Sequence, residues 1–433
     1  MKLFVVVTDH EGLEHNRVTL FLDKQTSVFT LQEKISSIWN IGRCQQLWFL
    51  KDGHPIRVTD SDIRLQQIGL SNMEKLFVKH ADLELWSKCI ASVEKVLKQR
   101  EDKRVNAKLA LEEYRQLRKN GFFMVYTELS LIFLENHSII EYWTDEDVNS
   151  LCEATEQYFL RLHDERRKNE DSEFICYFEK REEFEGCATN ALAFVRIHGE
   201  TAITKYNVKC HHNSRKRSRY SQFPDITEFY CYKLLELIGV SPKCHIIPPV
   251  TFAGTKTNAY IATQWDDNFE LLTNVIDENN LCADVIVQLV LLKALLFITQ
   301  LQEQNCGRWK GAEKAAAIVD FAASDDCQVY WNIENILMTS YPWWGWKNLY
   351  HDVRNQHDCN SWLTIVKKYV DKWDLVSKIE LARQQFDPNN VLLESLDADY
   401  KHRGPTPTEQ LEDFIETLYK NLGNLQDVLS YIV

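Results

Sequence analysis

The stretch Gln304–Ser324, Q-N-C-G-R-W-K-G-A-E-K-A-A-A-I-V-D-F-A-A-S, decides how this chain is read. An apolar run, Ala315–Val319, has the composition of a buried strand and ends on one acid, Asp320. Phe321 and small residues follow. An acid leaving a buried strand either holds a metal ion or caps the next turn. Its companions elsewhere in the chain bear on the choice.

Upstream, Ala191–Ile197 and Thr201–Tyr206 flank His198-Gly199-Glu200, a hairpin signal. The second strand, T-A-I-T-K, alternates and delivers Lys205 near its end. Asp225–Ile238 reads as a helix closed by Gly239, the usual residue for a left-handed C-terminal cap. Glu228 lies in its first turn, 23 residues after Lys205 (228 − 205). There it can reach back to the strand lysine, or simply favour the positive end of the helix dipole. Strands at His245–Phe252 and Asn258–Trp265 follow. Residues 281–433 read as mainly helical, broken by the Asp320 strand and a Trp-rich loop, Tyr341–Trp346.

The run E-F-Y-C-Y-K-L-L-E-L-I-G-V-S-P-K-C-H-I-I-P-P from Glu228 resembles a segment of the atypical kinases. These include HipA, the type II phosphatidylinositol 4-kinases, the secretory-pathway kinases and actin-fragmin kinase. Over about residues 185–325 the resemblance implies a two-lobed fold that binds ATP with Mg or Mn. It implies Lys205 on the phosphates, Glu228 holding that lysine, and Gln264 and Asp266 at the adenine-contacting hinge. Asp320 would be the metal ligand. Those families carry a catalytic stretch close to N-x-D-R-H-x-x-N. Here Asn305, Arg308 and Trp309 match or nearly match it. The catalytic Asp falls on Gly307 and the metal-binding Asn on Ala312, so both groups are missing. General-base catalysis contributes roughly 10²–10⁴-fold, so its loss implies a pseudokinase unless Glu313, Asp325 or Asp326 substitutes.

Residues 1–80 run strand, strand, helix, strand, strand. M-K-L-F-V-V-V opens the chain, and Leu31, Ile35 and Ile38 share a helical stripe. C-Q-Q-L-W-F-L-K-D-G and S-D-I-R-L-Q-Q-I-G-L precede a last strand at Lys75–Lys79. The order resembles ubiquitin. No Gly-Gly ends the module, which implies a built-in domain rather than a conjugated one. Trp48 falls at the centre of ubiquitin's recognition face. It would anchor a protein partner, or pack against the chain's own helices.

The chain as a whole is expected to be α+β. The divisions are a ubiquitin-like domain (1–80), a charged helical connector (82–172), a strand-rich lobe (174–268) and a mainly helical lobe (269–433). A net charge of −13 argues against bulk attraction to nucleic acid or anionic membrane. Arg215, Lys216, Arg217 and Arg219 form a local basic run that could meet an anionic ligand or stay solvated. The 12 cysteines show no C-x-x-C pair, which suits free thiols in the cytoplasm or nucleus. No stretch reads as a signal peptide or membrane span. Three functions stay open: a regulatory pseudokinase, an active lipid or protein kinase, and an unrelated α+β scaffold.

Overall fold

The computed structural model describes residues 1–9, 11–56, 62–166, 173–181, 190–210, 224–252, 254–277, 282–302, 304–323, 327–340, 347–401 and 404–432. The basic run at 215–219, Asp325, Asp326 and the Trp-rich loop lie outside them. The fold is α+β, in two compact units, Met1–Asn149 and Ser150–Val433. Among the described residues no helix is long and apolar enough to cross a membrane.

The first unit opens with β1 (Lys2–Thr8), β2 (Glu14–Phe21), α1 (Val28–Trp39), β3 (Gln46–Phe49), β4 (Pro55–Ile56) and β5 (Glu74–His80). The sheet order is β2-β1-β5-β3-β4, with β1 and β5 parallel and the other pairs antiparallel. Alternation sends Leu3, Val5 and Val7 into the core. Ser27 caps α1 by accepting from the Thr30 N–H. The buried stripe of α1 is Val28, Leu31, Ile35 and Trp39; Ile38 turns outward, because the helical period brings Trp39 inward instead. Trp48 is 2% exposed, which rules out the exposed-anchor reading. Its indole N–H donates to Gln46 Oε1, and the Gln46 amide donates to the Gln32 carbonyl of α1. Trp48 therefore faces α1, and its neighbour Leu47 is on the open face of the sheet, 45% exposed.

Among the described residues, α2 (Leu83–Lys98), α3 (Lys103–Lys119), α4 (Phe122–Val125), α5 (Thr127–Glu135) and α6 (His137–Thr144) follow in this unit. Tyr126, after α4, pins them to the sheet. Its buried hydroxyl donates to the Thr8 carbonyl and accepts the His80 N–H. The boundary between the units falls inside α7 (Glu146–Arg166), so the expected connector over 82–172 is divided rather than separate.

The second unit begins its sheet with β6 (Ile175–Glu179), β7 (Asn190–Arg196) and β8 (Thr204–Cys210). Then come α8 (Ile226–Leu237), β9 (Cys244–Ile247), the small hairpin β10 (Thr251–Phe252) and β11 (Thr255–Lys256), and β12 (Tyr260–Gln264). The order is β6-β7-β8-β12-β9, antiparallel throughout. Gly199 makes the β7–β8 turn with φ +86°, as the sequence suggests. Strand β8 starts three residues later than expected, because Tyr206, Val208 and Cys210 are the alternating positions that bury. Phe159 of α7 and His245 of β9 pack against Tyr206 on that face.

Below the sheet lie β13 (Phe269–Leu271), α9 (Leu272–Asp277), α10 (Ala283–Leu296), β14 (Ile298–Thr299), β15 (Cys306–Trp309), β16 (Ala312–Ile318) and β17 (Ala322–Ala323). Helix α10 is apolar nearly all round and buried nearly all round, as a core helix must be. Helices α11 (Ile333–Thr339), α12 (Lys347–Asn355), α13 (Cys359–Trp373), α14 (Leu375–Phe386), α15 (Val391–Asp399) and α16 (Pro407–Ser430) finish the unit. Strands β13-β15-β16 form one sheet, and β14 pairs with β17.

Candidate functional site

Residues 205, 207 and 209 of β8 point away from the buried Tyr206 face. Lys209 lies opposite Asn190 of β7 and Ile261 of β12, and only 5% of its side chain is exposed. A buried ammonium requires partners. Lys209 Nζ forms an ion pair with Asp320 and donates to the Tyr232 hydroxyl at 2.9 Å. Tyr232 in turn donates to Asp320 Oδ1 at 3.2 Å. The three side chains close a triangle.

Local structure fixes each corner. Asp225 caps α8 by accepting from the Thr227 and Glu228 N–H groups. Glu228 sits one turn before Tyr232 on the same helical face and is 2% exposed. Burial pushes the Tyr232 hydroxyl well above the ordinary tyrosine range, and the Asp320 and Glu228 charges push the same way. Tyr232 therefore stays a neutral bridge. Its ring packs on Phe321, with centroids 4.3 Å apart. Asp320 is set by backbone: the Val319 and Asp320 N–H groups both donate to the Asn305 carbonyl, at 2.9 and 3.3 Å. The Asp320 side chain is 41% exposed, so this corner faces outward while Lys209 is enclosed.

Pairing of β14 with β17 sets Thr299 opposite Ala322. Gln300, the next residue, therefore arrives beside the Asp320–Phe321 segment. Gln300 has φ +61° and is exposed. Its carbonyl accepts from the Asn305 side-chain amide at 2.8 Å, which orients Asn305. Asp320 and Asn305 supply hard oxygen donors of the type that Mg or Mn takes, with phosphate and water completing such a shell. Among the described residues no group of three His, Cys, Asp or Glu side chains could hold a metal alone.

The sequence-derived residues fall out differently. Glu228 and Asp320 are brought together around Tyr232. Lys205 is not: it lies four residues, about 13 Å, further down the strand. Its ammonium stands 3.9 Å over the Trp265 ring. Between the two lysines, Asn207 accepts from Arg181 at 3.3 Å. Gln264 ends β12, with its N–H donated to the Lys243 carbonyl. Asp266 is exposed and accepts from the Asn268 N–H, an ordinary turn contact.

Gly307 and Ala312 require correction. Gly307 lies inside a sheet, between Leu271 of β13 and Ala317 of β16. A Cβ there would stand 1.9 Å from the Glu270 carbonyl oxygen, so packing demands glycine. Ala312 starts β16, about 20 Å of strand from Ile318 at its other end. Gly307 pairs with Ala317, three residues before Asp320, and Ala312 is at the far end of β16. Arg308 is likewise structural, buried against Glu270 with Nε–Oε2 at 2.7 Å. The residues overlooked in sequence are Lys209, Tyr232 and Gln300. A signal existed for two of them: Y-N-V-K continues the strand alternation past Lys205 to Lys209, and Gln300-Leu301 stands five residues before Asn305.

No family model matches the chain, and no curated protein matches it in sequence.

Proposed function

We propose that residues 150–433 form a kinase-like module that holds nucleotide but lacks the catalytic base, joined to a ubiquitin-like fold over residues 1–80. The protein then acts by binding, as a regulatory or adaptor protein. The observation that carries this reading is the Lys209–Asp320–Tyr232 triangle with Gln300 beside it. A protein kinase places a strand lysine on the phosphates and a D-F-G aspartate on the metal. Its catalytic loop, H-R-D-L-x-x-x-N, sets the catalytic Asp five residues before a metal-binding Asn. Gln300-Leu301 stands in that relation to Asn305, and Asp320-Phe321-Ala322 stands for D-F-G. The strand lysine is then Lys209, with Glu228 on the following helix 19 residues on (228 − 209). The β2-β1-β5-β3-β4 order around α1 supports the ubiquitin-like assignment.

In this reading Lys209 orients phosphate, and Tyr232 holds Lys209 and Asp320 in register. Asp320 and Asn305 would hold Mg or Mn, which would screen phosphate charge. Glutamine is no base at neutral pH, so Gln300 can orient an acceptor hydroxyl but cannot take its proton. An ATP-turnover assay with Mg or Mn tests this. The wild-type chain is expected at background, and Gln300→Asp is expected to raise turnover by about 10²-fold or more. Wild-type turnover that vanishes in Asp320→Ala protein would overturn the proposal and favour an active kinase.

A further inference from the structure

The helical part of the second unit carries a groove that the nucleotide reading does not use. Its volume is about 460 Å³. Leu363 of α13 and Val428 of α16 line it, both packed on the hydrophobic core. Trp331, just before α11, and Tyr431, just after α16, line it too. They are 87% and 85% exposed. Two open aromatic rings along one apolar floor make a patch of the kind that marks a contact surface.

Charge specifies what would cover them. Glu334 and Asp427 also line the groove, and among the described residues no Lys, Arg or His does. Asp427 sits in the last turn of α16, which carries no basic residue. A carboxylate there adds to the negative end of the helix dipole, an unfavourable placement unless a cation answers it. Lys367 donates to the carbonyl of Ile432, another lining residue, at 3.1 Å. Two open aromatic faces, two carboxylates and an aliphatic floor together suit guanidinium groups beside an apolar side chain.

We infer that this groove docks a short arginine-and-leucine-type basic segment of a partner protein. An arginine lies over Trp331, a second meets Asp427 at the end of α16, and a leucine fills the space over Leu363 and Val428. The docking does not depend on nucleotide. The test is fluorescence anisotropy of the full chain with a fluorescein-labelled peptide of alternating Arg and Leu, beside a peptide with Glu for Arg. The Arg peptide is expected to bind and the Glu peptide not to. Trp331→Ala, and separately Glu334→Gln with Asp427→Asn, should each weaken binding by about fivefold or more. Lys209→Ala should bind the peptide as the wild type does, which separates the groove from the nucleotide site. Trp331 and Asp427 are exposed and Glu334 is half-buried, and an unaltered melting temperature in each variant certifies the fold. Binding unchanged by either groove variant, equal binding of the Glu peptide, or no binding up to about 1 mM would each overturn the inference.

Discussion

Single atoms decide the chemistry at three positions. Gly307 shows a residue whose meaning reverses once its neighbours are known. In sequence it looks like a lost catalytic acid; in the sheet it is where the Glu270 carbonyl approaches too closely for any Cβ. Gly307→Ala should therefore destabilise the second unit by about 3 kcal/mol or more, as overpacking against backbone does. Chemical denaturation measures this, and a loss under about 0.5 kcal/mol would contradict the packing account. Lys205 and Lys209 make the complementary point. They share a strand face, but Lys209 is enclosed by Tyr232 and by Asp320, 111 residues further on, while Lys205 lies over Trp265. In the proposed reading, Gln300 brings to the Asp320 segment an amide, which cannot accept a proton at neutral pH.

Elements carry the site through their ends and pairings. Helix α8 is legible in sequence because Asp225 and Gly239 are local signals at its two ends. The β7–β8 hairpin is legible for the same reason. Strands β14 and β17 are two residues each, too short for any periodicity to show, yet their pairing sets Thr299 opposite Ala322 and so carries Gln300 toward the Asp320–Phe321 segment. The opposite face of the β8 sheet is held by an aromatic cluster in which Tyr158, Phe159 and Tyr206 surround His245. Burial, helped by the Lys233 charge, lowers the His245 pKa to about 4. The unfolded chain takes its proton near 6.5, and the folded chain refuses it until about pH 4. Stability from this site is thus full above pH 6.5 and declines as pH falls toward 4. Between pH 7 and 5 the loss should be about 2 kcal/mol. His245→Phe should flatten that slope in urea titrations; an unchanged slope would place the pH dependence elsewhere.

At the scale of the whole molecule, the α+β class and the succession of strand-rich and helical regions are legible from periodicity. The unit boundary is not, because α7 runs through it without a break in helical pattern. Trp48 was ambiguous in sequence for a similar reason: alternation places it on one face of β3 but cannot say which face α1 covers. The central claim is that Lys209, Tyr232 and Asp320 form a nucleotide-holding centre. A thermal-shift titration with ATP, with and without Mg or Mn, tests it most directly on the wild type, Lys205→Ala and Lys209→Ala. At a hundredfold excess over Kd, binding adds about 2.7 kcal/mol, or roughly 5 °C for a unit of this size. The account predicts that shift for the wild type and for Lys205→Ala, and its loss in a folded Lys209→Ala protein. No shift in the wild type, or a shift that survives Lys209→Ala, would contradict it.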